Sequence, residues 1–145
     1  MSTRSGIAIS HNGVIKAIYC HSDGYLEYNG AILNEFYRDS VKVNYLIAQG
    51  DMSSLGLEIG TKIDFNDRME YDKSTNFAKQ CRFYGRDRDE DGCEFKTFNS
   101  RQEFIDGIDG EYFYLMEDNV WYVSKGRAWS KLSEAIDAIV QEDAE

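Results

Sequence analysis

Two β-rich runs, Gly6-Ile-Ala-Ile-Ser10 and Val14-Ile-Lys-Ala-Ile-Tyr-Cys20, stand on either side of His11-Asn12-Gly13. Asn-Gly between such runs favours the positive φ angles of a type I′ turn, so the chain should open with an antiparallel hairpin. Outward from it, Leu26 to Arg38 places Leu26, Ile32, Leu33, Phe36 and Tyr37 at helical spacing, with Asn29-Gly30 interrupting its beginning; a helix is expected from about Gly30. Ser40 is positioned to cap a second helix from Val41 to Gln49, with Val43, Leu46 and Ile47 on one face and Gly50 as its stop.

Beyond Leu57 the pattern returns to β. Thr61 to Phe65, Lys79 to Tyr84 and Cys93 to Phe98 read as strands, the last two flanking a charged connection, while Asn66 to Asn76 reads as loop. Ser100 and Glu103 have the capping-box spacing ahead of Phe104 and Ile105, which predicts a short helix ending at Gly107. Glu111 to Met116 and Val120 to Ser124 alternate around Glu117-Asp118-Asn119 as a second, aromatic hairpin. Ser130 to Gln141 carries Leu132, Ile136, Ile139 and Val140 on one stripe and should form an amphipathic C-terminal helix. Strands punctuated by unpaired helices argue a single α+β domain over residues 1–145, with a mainly antiparallel sheet, an N-terminal hairpin and two helices after it.

Composition bounds the rest. The chain has 145 residues, 42% hydrophobic and 14% aromatic, enough for one core of ordinary size. It contains no proline, so its turns rest on Asn12-Gly13, Asp23-Gly24, Asn29-Gly30, Asp91-Gly92, Asp106-Gly107 and Asp109-Gly110. No run approaches the ~18 to 20 apolar residues of a membrane span, and Met-Ser-Thr-Arg-Ser lacks the apolar stretch of an export signal; the cytoplasm is the expected location. Cys20, Cys81 and Cys93 form no CxxC pair, and reduced thiols are expected. A net charge of −10 repels a phosphate backbone from the average surface, so neither direct nucleic-acid binding nor a membrane role is expected.

The segment Ile18-Tyr-Cys-His-Ser-Asp-Gly-Tyr25, followed by Gly30 and Leu33, resembles the N-terminus of small phage and prophage proteins of the form Ile-Tyr-Cys-His-x-Asp-Gly-Tyr-x(4)-Gly-x(2)-Leu. The likeness continues weakly through Leu46-Ile47 and Gly50 to Gly56; where this chain has Ser22, those proteins often carry Trp. The resemblance implies a phage genomic context rather than an activity.

Several residues stand out as candidates for chemistry or binding. His21, Asp23 and Tyr25 occupy a polar turn. Cys20 and His21 are neighbours that point to opposite faces of a strand, which rules out a nucleophile–base dyad if the strand runs through both. The run Asp87-Arg88-Asp89-Glu90-Asp91-Gly92 reproduces early positions of a calcium loop, but the twelfth position, which demands a bidentate Glu, is Phe98; a solvated hairpin tip accounts for the same residues. No metal and no cofactor are expected. Gly56 and Gly60 lack the Lys-Ser or Lys-Thr of a phosphate loop. Tyr112, Tyr114 and Tyr122 are candidates to face solvent beside the second hairpin's acidic turn, and tyrosine is common at protein-binding hot spots.

These features point to a non-enzymatic, acidic, phage-encoded protein that binds and inhibits a host protein. A defence or nucleic-acid-handling factor with a basic groove suits its charge, and nucleic-acid mimicry is one mode. His21, Asp23, Tyr25, Asp87, Asp89, Asp91, Tyr112 and Tyr114 are the candidate contact residues, and the chain is read as a monomer or homodimer. Two alternatives remain open: a binder that sequesters a small nucleotide signal, for which Arg82, Arg86 and Arg88 would have to converge, and a small metal-dependent hydrolase.

Overall fold

The structure is a computed structural model that describes residues 3–144. Its fold is α+β. Strands β1 (Ser5–His11) and β2 (Val14–Cys20) form the opening hairpin, in register from Ser5 opposite Cys20 to His11 opposite Val14. Asn12 and Gly13 both take positive φ, 52° and 79°, as a type I′ turn requires. The second hairpin joins β6 (Tyr112–Glu117) to β7 (Val120–Ser124) through Asp118 and Asn119, again both at positive φ. The two hairpins meet where β1 runs parallel to β6. Elsewhere the sheet is mainly antiparallel, in the order β4-β3-β2-β1-β6-β7-β8, with β3 (Met52–Ser54), β4 (Arg82–Phe83) and β8 (Trp129–Lys131) completing it. The outer edge of β2 is shared: β5 (Lys96–Phe98) pairs with Ile15 to Ala17, and β3 meets Cys20.

Alternation sorts the strands' side chains onto two faces. On one, Ile7, Ile9, Ile18, Tyr114, Met116, Trp121 and Val123 pack under α1 (Ala31–Phe36), α2 (Ser40–Ala48) and α5 (Leu132–Ala144) through Ile32, Leu33, Val43, Leu46, Ile47 and Leu132. On the other, Ala8, Ile15, Ala17, Phe113 and Leu115 meet Phe104 and Ile108 at α4 (Arg101–Gly107). Half of the expected capping box forms: Ser100 Oγ accepts from the Glu103 amide at 3.1 Å, while Glu103 Oε1 reaches one residue past the cap and accepts from the Asn99 amide at 3.1 Å.

Four expectations need correction. Asp39, not Ser40, caps α2, accepting from the Lys42 amide at 2.9 Å, so the helix starts one residue earlier. Thr61 to Phe65 forms no strand; this stretch is held by side chains instead of a ladder. The strands at Arg82–Phe83 and Lys96–Phe98 are short and pair with β3 and β2, not with each other, so Asp87 to Asp91 is not a hairpin tip: Tyr84–Arg88 forms a helical turn, α3. Val140, assigned to the apolar stripe of α5, is exposed, while Leu132, Ile136 and Ile139 pack inward. The interruption expected at Asn29-Gly30 is a π-helical turn, Leu26–Gly30, that runs directly into α1.

Candidate functional site

The long segment between β3 and β4 has only scattered backbone bonds of its own, such as the Leu57 amide to the Ala78 carbonyl, and is further held by side chains that reach backbone. Tyr37, fully buried, donates from its hydroxyl to the Gly56 carbonyl at 2.8 Å and contacts Cys81 Sγ at 3.4 Å. Lys42 Nζ donates to the Phe36 and Leu57 carbonyls at 2.8 and 3.0 Å. Gln80 donates to the Thr61 carbonyl, and the Ala78 amide donates to the Tyr28 hydroxyl.

Asp87 is the hinge of this arrangement. Its side chain is wholly buried and accepts from the Ile63 amide at 3.0 Å and the Phe83 amide at 2.8 Å. Arg86 pairs with it at 2.9 Å and spans to the Ile59, Gly60 and Cys81 carbonyls. Burial alone would raise the carboxyl pKa, but the Arg86 guanidinium and the two amides outweigh it and hold the pKa below its usual value. Asp87 is therefore a structural anchor and not the surface contact expected of it.

The anchor positions a surface stack. Phe65 and Tyr84 lie with ring centroids 5.6 Å apart, and the Arg88 guanidinium sits 4.5 Å from the Phe65 centroid and 4.8 Å from that of Tyr84. Arg82 approaches the same Phe65 ring at 5.5 Å and donates to the Asp67 carbonyl. Arg82 and Arg88 thus converge as the sequence alternative required, but on an aromatic ring; Arg86 turns away to Asp87. Asp64, Asp67, Asp89, Glu90 and Asp91 flank the stack in the chain, and all are exposed; Asp89 pairs with Lys62 and Glu90 with Arg88. Phe65 carried no sequence signal of its own, because its partners come from α3, some twenty residues on.

The other expected residues divide between surface and core. His21 Nδ1 lies 2.7 Å from the Tyr19 hydroxyl, whose pKa is raised by burial against the opposing charge of Arg4. Cys20 is buried behind it, its thiol pushed up to about 12 chiefly by burial, so it stays protonated and no Cys20–His21 nucleophile exists. Asp23 takes a positive φ of 58°, and its backbone carbonyl accepts from the Asn29 amide, closing the turn without its side chain. Tyr25 packs against Tyr28 at 6.3 Å. Tyr114 is fully buried and donates to the Gly24 carbonyl at 2.6 Å, which corrects its assignment to the surface; Tyr112, half-buried, stacks on it at 6.4 Å. The turn and the second hairpin are thus joined, through a structural bond.

Among the described residues, several clefts open on the face that α1, α2 and α5 cover. One, about 590 Å³, lies at the hairpin tips between His11, Lys16, Asn44, Asp118 and Asn119. Another, about 440 Å³, lies at the β7–β8 turn. Among the described residues no three His, Cys, Asp or Glu side chains are grouped to hold a metal ion, and no helix is long and apolar enough to cross a membrane. Compared with known protein families, curated proteins and solved structures, the chain matches none.

Proposed function

We propose that this chain is a non-enzymatic, phage-encoded protein that binds and inhibits a host protein, with the Phe65–Arg88–Tyr84 stack at the centre of the contact. The observation that carries this reading is the stack itself: two aromatic rings and an arginine held ready at the surface, the residue types that dominate binding energy in protein interfaces. Preorganisation by Asp87 lowers the ordering cost of association. Asp64, Asp67, Asp89 and Asp91 give the rim a negative charge that steers encounter with a basic partner, which suits a defence or nucleic-acid-handling factor. The phage context rests on the N-terminal likeness around Cys20 to Tyr25.

The test is capture from bacterial lysate with the tagged chain, its Tyr84→Ala/Arg88→Ala variant and an Asp89→Lys/Asp91→Lys variant. The expected result is a stoichiometric protein that the native chain retains and rising salt releases. The aromatic–arginine variant should weaken that complex by roughly thirty-fold, the ~2 kcal/mol of a hot-spot residue. The charge-reversed variant should slow association more than it speeds release. Capture equal in all three proteins, each folded as judged by thermal melting, overturns the reading.

A further inference from the structure

Against the chain's net charge of −10, one cleft is lined by cations and no carboxylate. It lies at the corner where the β7–β8 turn, the first turns of α5 and the π-helical turn meet, and is lined by Leu26, Val123, Ser124, Lys125, Arg127, Ala128, Ser130 and Ala135. Its volume, about 440 Å³, falls within the ~300–1,000 Å³ range of small-molecule sites. The two cations flank Gly126, whose φ of 103° makes the sharp turn and whose amide donates to Ser124 Oγ at 3.0 Å. Lys125 and Arg127 are both exposed, and neither has an ion-pair partner among the described residues. The nearest carboxylates in sequence to the apolar wall, Glu27 beside Leu26 and Glu134 beside Ala135, are exposed and pair with neither cation.

The remaining wall is apolar. Leu26 comes from the π-helical turn, a backbone irregularity of a kind frequent at functional sites, and Val123 and Ala135 face it from β7 and α5. Lys125 Nζ also lies 5.4 Å from the Tyr112 ring centroid, so a ring system borders the cationic mouth. An apolar wall, an aromatic edge and two unpaired cations separated by one glycine suit a ligand with an anionic end and a less polar body. We propose that the Lys125–Arg127 cleft binds a nucleoside monophosphate unit, its phosphate held by Lys125 and Arg127 and its nucleoside against Leu26, Val123 and Ala135. This site is separate from the Phe65–Tyr84 stack, so either assignment can fail without the other.

Isothermal titration of the full chain with adenosine 5′-monophosphate and uridine 5′-monophosphate tests it, with adenosine and inorganic phosphate as partial ligands. Saturable binding of at least one monophosphate is expected, weakened on the order of tenfold or more by the surface variant Lys125→Gln/Arg127→Gln and by rising salt. Adenosine and phosphate should each bind more weakly than the intact nucleotide. The Lys16→Gln variant, in the larger cleft at the hairpin tips, should bind as the native chain does. Absence of saturable heat with both monophosphates overturns the proposal. So does affinity that survives the double variant, affinity lost in Lys16→Gln, or phosphate binding as tightly as nucleotide.

Discussion

The two hairpins and the segment between Leu55 and Cys81 reach order by opposite means. In β1–β2 and β6–β7 the chain carries its own instructions: alternating side chains choose the faces, and Asn12-Gly13 and Asp118-Asn119 set the register through positive φ angles. Between Leu55 and Cys81 there is only isolated bridging, Glu58 with Gln80 and Tyr71 with Ala78. Scattered backbone bonds cross the segment, such as the Leu57 amide to the Ala78 carbonyl and the Cys81 amide to the Glu58 carbonyl, and further backbone groups are satisfied by side chains from elsewhere, Tyr37, Lys42, Arg86 and Asp87. Local pairing tolerates the loss of one side chain, because its hydrogen bonds are spread over a ladder. A segment held by a few buried polar groups depends on each of them.

The largest effect should come from Asp87. Replacing it by Ala leaves the Ile63 and Phe83 amides without their acceptor and Arg86 without its carboxylate, and should cost about 3–5 kcal/mol in chemical denaturation. Asp87→Asn should be milder, since one oxygen still accepts. The same carboxylate gives a pH signature. Its folded pKa lies below the ordinary 3.8, so the folded state holds fewer protons there than the unfolded chain. Its contribution is complete above about pH 5 and lost as pH falls through the folded pKa, and Asp87→Asn should flatten the stability profile below about pH 5. A profile identical to that of the native chain would remove Asp87 from its anchoring role.

Next in size is Tyr37→Phe, which leaves the buried Gly56 carbonyl without its hydroxyl donor and should cost about 1–3 kcal/mol. In native-state hydrogen exchange the loss should open the Leu55–Cys81 segment before the hairpins. Uniform loosening of both regions would contradict the separation drawn here. The smallest change belongs to the first hairpin. Gly13→Ala introduces a side chain into open space but at a φ of 79°, and should cost about 1 kcal/mol of backbone strain without altering register.

What the sequence made legible follows the same division. The hairpins, α1, α2, α4 and α5 and the mainly antiparallel α+β architecture could be read because periodicity and turn residues act over a few neighbouring positions, whereas α3 was not read. The Ser100 cap of α4 was equally local. Asp87 was misread because its run of alternating acids looks like a solvated tip, and nothing nearby announces that Ile63 and Phe83 supply the amides that bury it. Tyr114 was misread for a related reason: alternation shows that a tyrosine has a face, but only the fold shows that Gly24 waits on it as an acceptor. The stack of Phe65, Tyr84 and Arg88 is legible only once Asp87 has drawn the two segments together.

The most direct measurement is hydrogen–deuterium exchange of the captured complex against the free chain. If the segment fixed by Asp87 displays the host contact, protection on binding should concentrate in residues 59–69 and 82–91, with the hairpin tips at Asn12-Gly13 and Asp118-Asn119 unchanged. Protection confined to the hairpins or to α5, with the Phe65 and Tyr84 segments exchanging as in the free chain, would contradict that claim.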